Sequence, residues 1–332
     1  MPRRPISFDG RPLLDIASYA RRGPGRRDRL SPEEIEYISL TVHRTPEVMV
    51  KVLIRGGQNL AAVRKHFEYL NRKGALEIET DDGQRLDGKG VERDLIDDWD
   101  LDIEEHRRSA NLDARPGRRP PKLVHKVLFS MPPGTPPQKV LEAVKNLARE
   151  EFGLKHRYAM VLHTDEQHPH VHMVVKAISE QGERLNIRKA TLREWRREFA
   201  RRLRELGVPA NATERAVRGE TRSPKLDGIY RAEQRENSWR TRAHVEEVAR
   251  ELLKGKVNAG QGKETLIETR KAVEQGWWRM SEILAAHGQK DLAAEVKWFV
   301  SRMPPTRSDR ELIAEELRNH LRDAQTREGS TR

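Results

Sequence analysis

Short apolar runs in the first two thirds of the chain predict buried strands. They cover residues 48–54, 76–79, 123–131, 158–163 and 171–178. Turn residues close several of these runs, as the Pro-Pro-Gly segment at 132–134 does for the run that begins at 123. The last two runs are separated only by a loop rich in histidine and proline, so we expect them to be neighbouring strands.

Longer stretches repeat an apolar residue every three or four positions, which predicts amphipathic helices. They cover residues 59–73, 95–108, 138–152 and 189–206. We expect Asn59 to cap the first of these helices and Gly74 to end it. The strand–helix–strand–strand–helix order predicts the α+β class, with an antiparallel sheet flanked by helices.

The same patterns divide the chain into three regions. Residues 1–45 are rich in Arg, Pro and Gly and lack a sustained period, which predicts a basic, largely flexible arm. Residues 46–222 carry the strand patterns, and from about residue 225 every apolar pattern is helical. We therefore expect a domain at 46–222 and a helical C-terminal region at 223–332.

The composition indicates the class of partner that the protein binds, and it excludes several kinds of chemistry. The 332 residues include 64 Lys and Arg against 52 Asp and Glu, a formal charge of +12, which favours a polyanion such as nucleic acid over a purely solvated basic surface. The chain has no cysteine, so disulfides, zinc knuckles and thiol catalysis are excluded. No segment has the apolar length of a secretory leader or membrane span, so we expect a cytoplasmic bacterial protein without membrane insertion.

The segment HTDEQHPHVHMVVK, residues 163–176, is the strongest candidate site. His170 and His172 flank one apolar residue at the start of a strand, so both imidazoles point to one face. With His163 from the neighbouring strand, they can converge on one divalent cation. Asp165 can accept the free ring N–H of His163, whereas the strand period turns His168 away, to the loop or to DNA.

A cation held by neutral imidazoles suits cleavage of a phosphodiester, which needs charge neutralised on the phosphate and a nucleophile in line. The nucleophile can be water or a side chain. Among five tyrosines, Tyr158 is expected to pack within its strand. Tyr69 lies near the end of a basic helix and is the one best placed to present its hydroxyl at the surface of the sheet.

Three separated motifs resemble those of the conjugative and T-DNA border relaxases of the VirD2 and MobA type, which are HUH endonucleases. HTDEQHPHVHMVV is similar to the family's histidine motif, and HFEYLNRKGALEIE to the motif that holds its nucleophilic tyrosine. LVHKVLFSMPPGT resembles the family's strand with a serine motif. A fourth segment, LGVPANATERAVRGE, is similar to the one that closes the relaxase domain in VirD2-like proteins. The resemblance spans roughly residues 48–222 in the family's order.

This resemblance implies a DNA relaxase that nicks one strand at a transfer origin. Tyr69 would form a 5′-phosphotyrosine bond, and His163, His170 and His172 would hold Mg²⁺ or Mn²⁺, with Asp165 orienting the first histidine. The residues expected to bind single-stranded DNA are Ser130, Arg64, Arg72, Lys73, Arg193, Arg196 and Arg197. The family also implies relaxosome accessory proteins and a type IV secretion coupling protein as partners, and no small-molecule cofactor.

Other functions remain open at the level of sequence. A metal-dependent nuclease of the same fold would use water and form no protein–DNA adduct. A basic DNA-binding accessory protein would carry its histidines as structural residues only. Replication initiators of the same superfamily usually place the tyrosine after the histidine motif, whereas Tyr69 precedes His163.

Overall fold

A computed structural model of the chain describes residues 15–19, 30–53, 57–113, 121–220, 239–260 and 262–329. These residues form two compact units. One contains residues 43–212 and carries a β-sheet, and the other combines two N-terminal helices with the chain from Thr213 onward. The sequence placed the boundary of the sheet-containing domain about ten residues later, at 222.

The sheet has six strands, and every neighbouring pair is antiparallel. They are β1 (Met49–Leu53), β2 (Ile78–Thr80), β3 (Arg85–Leu86), β4 (Val124–Ser130), β5 (Tyr158–His163) and β6 (His170–Lys176). Their spatial order is β1-β4-β6-β5-β2-β3. All seven residues of β6 are buried, as expected for a strand covered on both faces. The predicted α+β class is confirmed.

Eleven helices are described. They are α1 (Ile16–Tyr19), α2 (Pro32–Val42), α3 (Leu60–Leu70), α4 (Val91–Asp98), α5 (Leu101–Asp113), α6 (Pro137–Phe152), α7 (Lys189–Glu205), α8 (Trp239–Leu253), α9 (Lys263–Ala286), α10 (Lys290–Ser301) and α11 (Asp309–Gly329). Helices α3 to α7 belong to the sheet-containing unit. As predicted, Asn59 caps α3, because its side chain accepts a hydrogen bond from the backbone N–H of Ala62 at 2.8 Å.

The two faces of the sheet differ in what covers them. The far face, which carries Val127, Phe129, Val171 and Met173, is packed by apolar residues of α6 and α7. The site face, which carries the alternate residues of the same strands, is apolar at one end only, where α3, α4 and the start of α5 cover it. At its other end the site face presents Ser130 and the three histidines of the candidate site.

The predicted helix at 95–108 is two helices, which corrects the sequence-based assignment. Helices α4 and α5 are separated at Trp99 and Asp100, and Asp100 adopts the left-handed conformation with φ 49°. The Trp99 side chain is completely buried and meets the Phe67 ring edge-on, with centroids 5.8 Å apart. Burying this large side chain against α3 redirects the chain, and no local propensity signals that break.

Residues 30–42 were predicted as part of a flexible arm, but the structure forms α2 there. Ser31 and Glu34 form a reciprocal capping box, with Ser31 N–H donating to Glu34 Oε2 at 2.7 Å and Glu34 N–H to Ser31 Oγ at 3.2 Å. Ile38 and Val42 are buried with apolar residues of α9 and α10. The stabilising partner lies more than 200 residues later in the chain, so local periodicity could not reveal it. Arm residues 1–14 and 20–29 lie outside the described residues.

The helical prediction for the C-terminal region is confirmed over its described residues by α8 to α11. Trp277 is fully buried and its indole N–H donates to the backbone carbonyl of Val217 at 2.8 Å. Among the described residues, no helix has the combination of length and apolar composition needed to cross a membrane.

Candidate active site

The three histidines predicted as ligands meet at the end of the site face. His163 on β5 is the direct cross-strand partner of His170 on β6, and His172 lies one pleat further along β6. Their ring centroids are 4.8–5.2 Å apart, and their ligating atoms all lie within 4.8 Å of one another. All three are buried, so the surrounding protein restricts their orientation.

Hydrogen bonds fix which ring nitrogen of two histidines can ligate. The Nε2 atom of His163 lies 2.8 Å from the backbone carbonyl of Leu70, and the Nδ1 atom of His170 lies 2.9 Å from that of His168. A carbonyl oxygen only accepts, so both ring nitrogens must carry hydrogen. This leaves Nδ1 of His163 and Nε2 of His170 as lone-pair donors, and such carbonyl contacts are typical partners of metal-bound imidazoles.

Burial disfavours the charged form of two of these histidines, His163 and His172. It lowers the pKa of His163, with the charge of Arg72 acting in the same direction. Burial lowers the pKa of His172 to about 3, and the neighbouring imidazoles of His163 and His170 contribute. Because the ligating form of histidine is the neutral one, these residues fit a divalent cation at neutral pH.

Tyr69 lies directly beside the triad. It is the penultimate residue of α3, and its ring centroid is 6.0 Å from those of both His163 and His172. The side chain is 50% exposed, and it lines an open cleft of about 500 Å³ together with Ser130, His168 and His170. The structure therefore brings together the predicted tyrosine, serine and histidines, and it also places His168 at the cleft.

Asp165 does not take the predicted position. The ring N–H of His163 donates to the Leu70 carbonyl, and Asp165 instead forms an ion pair with Arg72. The carboxylate follows the end of β5, where its side chain is 52% exposed, while the His163 side chain is fully buried beneath the end of α3. The orientation of His163 therefore depends on the end of α3, and the predicted contact with Asp165 is corrected.

The turn after α3 aims Arg72 at the site. Arg72 and Lys73 both have left-handed backbones, with φ 51° and 58°, and Gly74 follows at φ 95°. Consecutive non-glycine residues in this region are unfavourable by about 1–2 kcal/mol each, so tertiary contacts must hold them. At Gly74 a Cβ atom would lie 2.6 Å from the carbonyl carbon of Gly88, so only glycine allows this close approach.

Helix α7 lies on the other side of the sheet, and the predicted role of its arginines in binding DNA stays a prediction. Its apolar residues, among them Trp195 and Phe199, pack on the far face. Arg196 donates to the backbone carbonyl of Val50 at 3.1 Å, and Arg197 pairs with Glu194. Arg193 lies on the same helix. These three arginines therefore do not line the cleft that holds Tyr69.

Arg64 and Lys73 are exposed on α3 and in the turn after it. Neither residue lines the cleft, and their predicted role in binding DNA stays a prediction.

Sequence reasoning missed His66 and Lys126. His66 lies one helical turn before Tyr69 with its ring nearly parallel to the tyrosine ring, at 14°, and its buried Nε2 has no hydrogen-bond partner within the described part of the chain. Burial lowers the pKa of His66 to about 3, helped by the charge of Lys126. Lys126 is 9% exposed on the site face of β4. The helical period of three to four residues from Tyr69 was the available signal for His66.

Comparison with known proteins agrees with this geometry. Residues 69–208 match the sequence model of the family described as "Relaxase: MobA/VirD2-like, nuclease domain". This part of the chain is therefore similar to the MobA/VirD2-like relaxases. The match begins at the candidate nucleophile and contains Ser130 and all three histidines of the triad.

Two curated relatives are T-DNA border endonucleases VirD2. The one from Rhizobium radiobacter is 28% identical over 197 residues, covering 54% of this chain and 44% of the relative. The one from Agrobacterium fabrum (strain C58 / ATCC 33970) is 27% identical over 211 residues, covering 58% and 45%. The chain thus spans about half the length of the curated relatives it matches.

Among solved structures, the Mn-bound MobM relaxase domain in complex with plasmid pMV158 oriT DNA is similar with a TM-score of 0.36. It is 16% identical, and the match covers 56% of this chain and 98% of that domain.

Proposed function

We propose that this protein is a metal-dependent relaxase that nicks one strand of DNA at a transfer origin through Tyr69. The observation that carries the proposal is the position of Tyr69, a half-exposed phenol whose ring centroid lies 6.0 Å from two histidines of a buried triad. The match to the relaxase family model and the similarity to T-DNA border endonucleases support the same reaction class.

His163, His170 and His172 would hold the cation. When bound, Mg²⁺ or Mn²⁺ would neutralise negative charge on the scissile phosphate and polarise it. Neutral imidazoles reduce the charge of a cation less than carboxylates do, so this donor set suits a phosphate ligand. The carbonyls of Leu70 and His168 accept hydrogen bonds from Nε2–H of His163 and Nδ1–H of His170. These bonds hold both rings in place, which limits the reorganisation needed when a cation binds.

In the proposed step, the Tyr69 phenol loses its proton to solvent and its oxygen forms a bond to the scissile phosphorus. The bond from phosphorus to the 3′ oxygen breaks, and that oxygen takes up a proton to become a 3′-OH. The product is a 5′-phosphotyrosine, which conserves the phosphodiester bond energy and allows rejoining. The guanidinium of Arg72 lies 4.7 Å from the centre of the Tyr69 ring and would stabilise the negative charge of the attacking oxygen.

Single-stranded DNA would follow the open part of the site face. Ser130 and His168 line the cleft beside Tyr69, and Met49, which is 46% exposed, and Leu128 give it an apolar floor on which unstacked bases can lie. Arg72 and Lys73 would contact the backbone and make binding depend on salt. The substrate would be a transfer-origin or border sequence, and accessory and secretion-coupling proteins would bring the protein to it.

The test is a denaturing gel of the purified protein after incubation with labelled candidate origin DNA and Mg²⁺. Wild-type protein should form a covalent adduct, and Tyr69→Phe should abolish it while retaining DNA binding. Tyr158→Phe is the matched control, because Tyr158 is 4% exposed and packs on the far face. It should retain the adduct.

Two outcomes would contradict the proposal. An adduct in Tyr69→Phe would assign the nucleophile to another residue. Metal-dependent nicking without an adduct in wild-type protein would indicate a hydrolytic nuclease that uses water.

A further inference from the structure

One guanidinium contacts three functional groups of the candidate site. The Nη2 atom of Arg72 lies 3.4 Å from Nδ1 of His163, and it also pairs with the carboxylate of Asp165. The central carbon of the same guanidinium lies 4.7 Å from the centre of the Tyr69 ring. Arg72 thus connects a candidate metal ligand, the candidate nucleophile and an exposed carboxylate.

His163 has only one nitrogen left to donate. Its Nε2–H is held by the Leu70 carbonyl at 2.8 Å, and the side chain is fully buried. The remaining lone pair on Nδ1 faces the guanidinium. A single lone pair cannot accept a hydrogen bond from Arg72 and coordinate a cation at the same time.

Electrostatic repulsion strengthens the competition between the Arg72 guanidinium and a cation for Nδ1 of His163. Arginine remains protonated in proteins, so a divalent cation at Nδ1 would lie within a few ångströms of a fixed positive charge. That repulsion is screened weakly at a buried site. The Arg72 side chain is 33% exposed and its partner Asp165 is 52% exposed, so the guanidinium can move outward without leaving its carboxylate.

We propose that Arg72 competes with the metal for His163. In the protein without a cation, its guanidinium holds the Nδ1 lone pair. On loading, it leaves Nδ1, keeps its ion pair with Asp165 and contacts the phosphate backbone of the bound strand. This inference rests on the proposed metal site. It makes Arg72 a positioning residue that opposes metal binding and favours DNA binding.

The first test is calorimetric titration of the full chain with Mn²⁺ after removal of cations by a chelator. Arg72→Gln removes the competing charge and should bind Mn²⁺ about tenfold more tightly than wild type. Arg72→Lys keeps a positive charge and should stay within about threefold of wild type. Lys65→Gln removes a charge from the exposed side of α3, away from the cleft, and should leave the Mn²⁺ affinity unchanged.

The second measurement uses the same proteins, each saturated with Mn²⁺, and a single-stranded oligothymidylate. Arg72→Gln should bind it several-fold more weakly and lower the salt slope of binding by about one. In Arg72→Gln the affinity for Mn²⁺ should therefore rise while the affinity for the oligothymidylate falls. A variant that merely loosened the site would weaken the binding of both.

Unchanged or weaker Mn²⁺ binding by Arg72→Gln, beside clear binding by wild type, would overturn the competition. If Arg72→Lys bound Mn²⁺ as tightly as Arg72→Gln, the positive charge of residue 72 would not be the cause of the competition. Failure of wild-type protein to bind Mn²⁺ would instead overturn the metal site itself and the proposed function with it.

Discussion

The two faces of the central sheet contain the same strands but have opposite properties. On the far face, Phe129 meets Phe199 of α7 with ring centroids 5.3 Å apart, and the surface is closed by helices. On the site face, α3 covers one end of the sheet and stops at Leu70, so the histidines and Tyr69 lie beside an open cleft. Alternate residues of one strand therefore pack in the core on the far face and form the candidate site on the other face.

The comparison of the two faces also shows that the helix richest in arginine is not the one that lines the cleft. Helix α7 is rich in arginine, but much of its charge is engaged within the far-face layer. Arg201 pairs with Glu198 and Glu205, and Arg202 pairs with Glu205 and with Glu150 of α6. The single guanidinium of Arg72 contacts more of the functional site than the whole of α7 does.

The largest expected effect is the loss of a triad ligand on the site face. His172→Ala should abolish measurable binding of Mn²⁺ and lower the nicking rate by about a hundredfold or more, because the site loses a ligand and the charge it delivers to the phosphate. Calorimetry and a nicking assay measure the two effects. The matched control is His125→Ala, which removes an imidazole from the far face of β4.

His125 pairs across the sheet with Val175 and so faces away from the triad. Its replacement should leave Mn²⁺ affinity unchanged. Equal losses from His125→Ala and His172→Ala would contradict the distinction between the two faces.

A smaller effect is acid destabilisation that originates on the site face. Burial lowers the pKa of His66 from 6.5 to about 3, so the unfolded chain binds a proton at His66 between those values and the folded protein does not. The stability contributed by the neutral imidazole is complete above pH 6.5 and is lost as pH falls toward 3. At pH 5 the loss is about 2 kcal/mol for this residue.

Urea denaturation in the presence of a chelator, repeated between pH 7.5 and 5, measures this effect. The free energy of unfolding of His66→Gln should fall less than that of wild type over this range, by about 2 kcal/mol. Above pH 6.5 the two curves should run parallel. Equal acid dependence of both proteins would show that His66 is not buried in its neutral form.

The smallest expected effect concerns α7. The double variant Arg196→Gln, Arg197→Gln should change the affinity for a single-stranded oligonucleotide by no more than about twofold, because these guanidiniums bind the Val50 carbonyl and Glu194 behind the sheet. Fluorescence anisotropy beside Arg72→Gln measures the difference. A loss as large as that of Arg72→Gln would show that DNA also follows the far face.

Local rules predicted much of the sheet-containing unit. The period of two placed His170 and His172 on one face, and the capping residue Asn59 placed the start of α3. The same rules failed where distant contacts decided the outcome. The break at Trp99 depends on its packing against Phe67, and the order of α2 depends on helices near the other end of the chain.

The sequence by itself determined the α+β class, the face of β6 that carries His170 and His172, and the chemical identity of the triad, because strand parity and side-chain chemistry are local properties. Only the tertiary structure decided that the Leu70 carbonyl holds His163, that Asp165 holds Arg72, and that α7 lies on the far face. Those outcomes depend on which elements pack together, and packing is set by the whole apolar surface that must be buried rather than by any one segment.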